Sequence, residues 1–195
     1  MFQFFQELDT TIFLYLNNLG TETWDPFWLK MSEVFIWIPL YLTLIVGLFF
    51  LFKTKTAMWA ILAIALNVVL TDQGSVRLFK NQFERLRPCH EESIQDQIRL
   101  VKGHCGGQYG FVSSHASNTF GIAVLVGLFY RKRWTWIFFS MLTWAALVSY
   151  SRVYLGVHYP LDIFVGALYG VFCGALVYGL FRRFTRPEYK NLSEE

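Results

Sequence analysis

Val34-Phe-Ile-Trp-Ile-Pro-Leu-Tyr-Leu-Thr-Leu-Ile-Val-Gly-Leu-Phe-Phe-Leu-Phe52 carries no charge from end to end, and Lys53 and Lys55 close it. A helix rises about 1.5 Å per residue, so this run is long enough to cross a hydrocarbon core of ~30 Å. No water is available there for a free backbone group, which makes a helix the expected form, with Pro39 expected to kink it. Composition extends the reading to the whole chain. Of 195 residues, 54% are hydrophobic and 19% aromatic, while only 16% are charged. Those proportions describe an all-α integral membrane protein in one domain, residues 1–195, and exclude a soluble enzyme. The net charge of +3 is small and no basic run is interleaved with aromatics, so nucleic acid is excluded as a partner.

Outward from this span, the chain divides at its charges. Toward the N-terminus, Phe2 to Leu19 puts Phe5, Leu8, Ile12, Tyr15, Leu16 and Leu19 on one helical face and Gln6, Glu7, Asp9, Thr10 and Asn17 elsewhere. That pattern predicts an amphipathic helix over 1–20 lying in the membrane interface, and its acidic start does not read as a cleavable signal peptide. Asp25-Pro26 reads as an N-cap followed by proline at the first helical position. Toward the C-terminus, four more spans are expected: Ala57 to about Lys80, Ser113 to Tyr130, Trp134 to Ser151, and Tyr159 to Phe184. Gly166, Gly170 and Gly174 form a small-residue ridge on the last of them, suited to close helix packing. The architecture is thus a bundle of about five transmembrane helices plus the interfacial helix.

Lys53/Lys55, Arg131 to Arg133 and Arg182 to Lys190 fall on one side of this threading, and by the positive-inside rule that side is the cytoplasm. The tail 185–195 is then cytoplasmic and the polar stretch 81–112 lies outside. The same threading brings Lys80, His115, Arg152 and His158 to the outer face, where cations are ordinarily depleted.

These residues carry a chemistry. A single Arg, His or Asp at a membrane interface is ordinarily an anchor, but here several converge. His158 and Asp162 are four apart, so a helix starting near Pro160 lets the carboxylate hold one ring nitrogen and leaves the other free to attack. Arg152 offers a planar fork of donors suited to phosphoryl oxygens. Lys80 and Arg87, seven apart, point the same way if their helix continues through Phe83. Ser113-Ser114-His115 opens a helix, whose free N–H groups favour an anion. His158 is the expected nucleophile, and His115 the acid that protonates the leaving oxygen and then activates water. The cations and the helix terminus stabilise the transferred group, with no metal and no cofactor called for.

The pattern resembles the type 2 phosphatidic acid phosphatase superfamily, which also includes vanadium haloperoxidases. Lys80 through Arg87-Pro88 matches the family's Lys-x6-Arg-Pro, and Ser151-Arg152, His158 and Asp162 match its Ser-Arg-x5-His-x3-Asp. Val112-Ser113-Ser114-His115 matches Pro-Ser-Gly-His in part, with Val in place of Pro and Ser114 at the glycine whose backbone N–H the family turns to phosphate. The resemblance implies His158 as nucleophile, Asp162 as its orienter, His115 as acid and base, and Lys80, Arg87, Ser113 and Arg152 as phosphate binders. Ser114 joins them by position. It also implies, as expectations, a metal-independent phosphatase acting on a membrane lipid phosphate. Undecaprenyl pyrophosphate or lipid A comes first, then phosphatidylglycerol phosphate or phosphatidic acid. The bilayer is the second partner, and the site would face the outside of a bacterial-type inner membrane. The Arg87-Pro-Cys-His90 and Ser113-Ser-His115 variants are similar to the lipid A phosphatase branch. A non-catalytic lipid-phosphate binder or transporter uses the same cations without an oriented nucleophile, and haloperoxidase chemistry uses the same site with vanadate. No residue pattern sets an oligomeric state.

Cys89-His90 and His104-Cys105 bracket the outer loop. A disulfide between Cys89 and Cys105 suits an oxidising compartment, and a zinc site from the four residues is the alternative.

Overall fold

The computed structural model describes residues 2–185, so the tail 185–195 lies, apart from Thr185, outside the described residues. Among those described residues the structure is helical and contains no strand: α1 Phe2–Asn18, α2 Asp25–Ser32, α3 Ile38–Leu51, α4 Thr54–Gly74, α5 Asn81–Phe83, α6 Ser114–Tyr130, α7 Thr135–Tyr154 and α8 Pro160–Thr185. A π-helical segment, Ser75–Lys80, joins α4 to α5 without a break.

α6 is the axis of the bundle, packed on α8, α7 and α4. Its interior is built from small residues, Ala116, Ser117, Gly121 and Ala123, so that neighbouring backbones approach closely. The glycine ridge of α8 is the surface that receives it. A Cβ at Gly166 would stand 2.8 Å from the Ser113 carbonyl, and one at Gly174 2.6 Å from the Gly121 carbonyl. Phe52, Phe129 and Phe181 close the opposite end of the core. Outside, the usual order is inverted: Phe35, Phe50, Trp136 and Phe172 are all more than 60% exposed. Such a surface is stable against lipid and costly against water.

Three helical stretches, 34–51, 54–83 and 160–185, are long and apolar enough to cross a membrane. α6 has 17 residues, and its Ser, Asn and Thr side chains suit a helix enclosed by others. Pro39, expected to kink its span, stands where the helix changes type. Val34–Trp37 forms a 3-10 turn and Pro39 stands in the first turn of α3, where its missing N–H has no intrahelical partner to lose. Asp25 is likewise displaced by one residue from the expected cap. Trp24 holds the cap position and Asp25 sits in the first turn, 2.5 Å from Arg99 Nη2.

α1 docks by the face expected to be solvated. Asp9, Phe13 and Asn17, four residues apart, are buried, while Phe5, Leu8, Ile12, Tyr15 and Leu19 are 40–67% exposed. The physical reason lies in Asn17. Its amide donates to the carbonyls of Arg99, Val153 and Tyr154, and its carbonyl accepts from the Arg99 N–H. The polar face therefore meets protein backbone and the apolar face is left for the membrane.

The stretch 81–112 is pinned. Leu86 bridges Tyr109 in antiparallel fashion, the Arg87 N–H reaches the Gln108 carbonyl, and the Gly110 N–H reaches the Arg85 carbonyl. Cys89 and Cys105 are joined as a disulfide, with Cα atoms 5.9 Å apart. That bond consumes the thiolates zinc would need, and His90 instead faces the Gly106 carbonyl.

Candidate active site

The corner between α7 and α8 is built for sharp reversal. Gly156 has φ +81°, and a Cβ there would meet the Arg99 carbonyl at 2.9 Å. No other residue type fits both constraints. The Val157 N–H then donates to the Arg152 carbonyl and closes the turn. His158 is delivered inward, 2% exposed, with Asp162 fully buried in the first turn of α8.

The His158 ring is held from both sides. Nδ1 lies 3.3 Å from Asp162 Oδ2, and Nε2 lies 3.2 Å from Arg87 Nη1. A guanidinium donates and never accepts, so Nε2 presents its lone pair there and Nδ1 carries the proton toward the carboxylate. Burial, then the positive charges of Arg87, Arg152 and Lys80, push the His158 pKa well below the ordinary 6.5. The ring is neutral at physiological pH, with Nε2 exposed to the clamp.

Arg87 does not share a helix with Lys80. The helix ends at Phe83 because Glu84 is left-handed, φ +45°, and Arg87 comes after it in extended backbone. Chain reversal, rather than the seven-residue spacing, brings Arg87 onto the histidine. Lys80 reaches the start of α6 instead. Its Nζ donates to Ser114 Oγ at 2.8 Å, and Ser75 Oγ lies 2.7 Å from the same hydroxyl. The π-helical segment turns Lys80 to that face, since its extra residue per turn rotates the side chains at its C-terminal end.

The two serines of the second motif do different things. Ser113 Oγ is buried and accepts from the Ala116 N–H at 3.4 Å as the N-cap of α6, while its own N–H donates to the Asp162 carbonyl at 3.0 Å. Ser114 is the hydroxyl beside the cation. His115 lies one residue on, lining a small cavity of about 70 Å³ with Ser32, Glu33, Trp37, Tyr41 and Asn118. The Ser32 backbone lies against its ring, and the Arg152 and Arg87 guanidiniums are its charged neighbours. Arg152 is 8% exposed, and its Nη1 donates to Ser32 Oγ. The Nε groups of Arg87 and Arg152 are buried without partners in the protein. Buried donors without acceptors are costly, and an anion among these side chains would satisfy them.

The structure thus groups Arg87, His158 and Asp162, sets Lys80 with Ser114, and sets Arg152 with His115 through Ser32. Three residues that touch this set, directly or through one another, carried no motif. Ser32 is one. Arg85 is another, its Nη1 3.0 Å from Asp162 Oδ1, and Asp9 is the third, 2.7 Å from Arg85 Nη2. The signal for Asp9 was an acid in a helix otherwise suited to lipid, and for Arg85 a cation on the depleted side.

Among known proteins, the sequence profile described as PAP2 superfamily matches residues 56–186. The lipid A 4'-phosphatase of Bacteroides thetaiotaomicron is 37% identical over 186 residues, covering 95% of this chain and 82% of that protein. The enzyme of the same name from Porphyromonas gingivalis is 33% identical over 180 residues, covering 92% and 75%. The crystal structure of Aquifex aeolicus LpxE superposes with a TM-score of 0.63 at 27% identity, covering 88% of this chain and 95% of that one.

Proposed function

Because the chain belongs to the PAP2 superfamily and is a lipid phosphatase of it, we propose that it removes the 4'-phosphate of lipid A through a phosphohistidine formed on His158. The observation that supports the chemistry is the two-sided hold on the ring, Asp162 at Nδ1 and Arg87 at Nε2. The lipid is taken from the two relatives that are 37% and 33% identical over 95% and 92% of this chain.

In this reading the phosphate enters among Arg87, Arg152 and Lys80 and loosens the Arg87 contact with Nε2. The nitrogen lone pair attacks phosphorus as the bond to the sugar oxygen breaks, and His115 gives that oxygen its proton. His115 then takes a proton from water, the resulting hydroxide attacks phosphorus, and the P–N bond breaks to release phosphate and restore His158. The negative charge spread over the equatorial oxygens is met by the three cations and by the N–H groups that open α6. Asp162 keeps the ring in one tautomer and balances the imidazolium formed in the first step. The Ser114 hydroxyl stands where the family has glycine and lends the phosphate a side-chain donor beside Lys80.

All five helices α3, α4, α6, α7 and α8 span the bacterial inner membrane in this proposal, with the site at the outer face and Lys53, Lys55, Arg131 and Arg133 at the cytoplasmic one. The lipid tails stay in the bilayer while the phosphate reaches the clamp.

The test is phosphate release in detergent with EDTA from lipid A, undecaprenyl pyrophosphate, phosphatidylglycerol phosphate and phosphatidic acid. Wild type is expected to prefer lipid A and to be indifferent to EDTA, and His158→Ala is expected to lose on the order of a thousandfold or more. Preference for another lipid refutes the substrate assignment. Tight binding without release by wild type points instead to the binder reading.

A further inference from the structure

The carboxylate that holds His158 is itself held, and the support leads out of the motif to the interfacial helix. Asp162 uses both oxygens. Oδ2 faces His158 Nδ1 and accepts from the Tyr159 N–H at 3.0 Å, while Oδ1 receives Arg85 Nη1 at 3.0 Å. The second arm of the Arg85 fork, Nη2, goes to Asp9 Oδ2 at 2.7 Å, and the remaining Asp9 oxygen accepts from the Leu161 N–H at 2.9 Å. Asp9 therefore ties Arg85 and the first turn of α8 together. The guanidinium lies over the Tyr159 ring, 4.1 Å from its centroid, and the Arg85 carbonyl accepts from the Gly110 N–H. Asp9 is 6% exposed and Asp162 not at all.

A buried pair of carboxylates around one arginine needs a reason beyond stability, since desolvating three charges ordinarily cancels what their attraction contributes. Docking of α1 does not supply it, because Phe13 against Tyr159 and the four hydrogen bonds of Asn17 already hold that helix. We propose that Asp9 and Arg85 are positioning residues for the phosphatase reaction. Asp9 holds one arm of the Arg85 fork away from Asp162, so that Arg85 takes a single Asp162 oxygen and leaves the other on His158. Without Asp9 both arms of the guanidinium are free to close on Asp162 side by side, the geometry such pairs adopt by default, and Oδ2 is drawn off the ring. The docked interfacial helix is on this account part of the nucleophile's support.

The inference rests on the reading of His158 as nucleophile, and the experiment separates the two. Steady-state kcat and KM are measured on the lipid the wild type prefers for wild type, Asp9→Asn, Asp162→Asn and the double variant, with thermal unfolding monitored in parallel. Asp9→Asn is expected to lower kcat about tenfold, the scale typical of residues that orient a reacting group, with KM within about twofold. In the Asp162→Asn background the same substitution is expected to cost nothing further, because its effect passes through Asp162. Glu7→Gln, on the exposed side of α1, is expected to match wild type. An unchanged kcat for Asp9→Asn, or the same fractional loss in both backgrounds, overturns the proposal. Should Asp9→Asn not accumulate as folded protein, Arg85→Lys keeps the charge, loses the fork and carries the same cycle with the same two outcomes. Full activity in His158→Ala would refute the nucleophile assignment and this inference with it. Loss in His158→Ala with an indifferent Asp9→Asn refutes this inference alone.

Discussion

α8 is gripped by two partners in opposite ways. Against α6 it presents glycines, and the contact is backbone on backbone, with Gly166, Gly170 and Gly174 set against Ser113, Ser117 and Gly121. Against α1 it presents an N–H and a carboxylate, reached through Asp9 and Arg85. The first interface works by dispersion at short range and has no slack, because nothing at a backbone carbonyl can rotate away. The second works by directed hydrogen bonds between charged groups out of water, so it is specific in orientation and poor in net stabilisation. The packing of α6 on α8 is held by closeness, and the start of α8 beside the candidate site is held also by direction.

Breaking the first interface should have the largest effect. Gly170→Leu forces a side chain into the Ser117 carbonyl, where the obstacle is backbone and cannot repack. Overpacking of this kind costs about 3 kcal/mol or more. The expected outcome is a marked fall in folded protein, read by thermal unfolding and by size exclusion in detergent. A variant that folds and melts like wild type would mean that α6 and α8 do not depend on this closeness.

A smaller and more local effect is expected where α1 docks on the end of α7. Asn17→Ala removes the partner of the Arg99 and Tyr154 carbonyls and of the Arg99 N–H, while the Val153 carbonyl keeps the Gly156 N–H, at a cost of about 2 kcal/mol. Amide exchange should then rise in α1 and in the segment around Arg99, while α6 and α8 keep their protection. Equal deprotection of all helices would show that the two interfaces open together.

The smallest effect is one of pH, at the corner where both interfaces meet. The folded His158 ring resists protonation, and the unfolded ring does so only above its usual pKa of about 6.5. Below that value the unfolded chain binds the extra proton, so stability falls with falling pH and the contribution is intact above it. For this one group the loss is about 1 kcal/mol by pH 5.5. Unfolding midpoints at pH 7.5 and 5.5 should differ less in His158→Gln than in wild type. An equal difference in both proteins would assign the acid sensitivity to other groups.

Much of this organisation is legible along the chain, because its signals are local. A charge-free run must become a helix in lipid, and the four-residue spacing across the start of α8 brings Asp162 to the His158 ring. The motifs fail as a guide where one residue of register decides. Ser113 and Ser114 are neighbours of the same type, yet the cap takes one and Lys80 the other. The same applies to Lys80 and Arg87, whose shared face depended on a helix that Glu84 ends. Asp9 and Arg85 are further still from local reading. They stand 76 positions apart in sequence, and neither is near Asp162 in it.

By itself, then, the sequence determined a helical membrane bundle and the histidine with its carboxylate, since burial of apolar surface and helical periodicity act within a few residues. Only the tertiary structure decided which face of α1 turns inward, which serine meets the cation and which arginine steadies Asp162. Those outcomes depend on partners for buried polar groups, and such partners come from wherever the folded chain happens to bring a matching donor or acceptor.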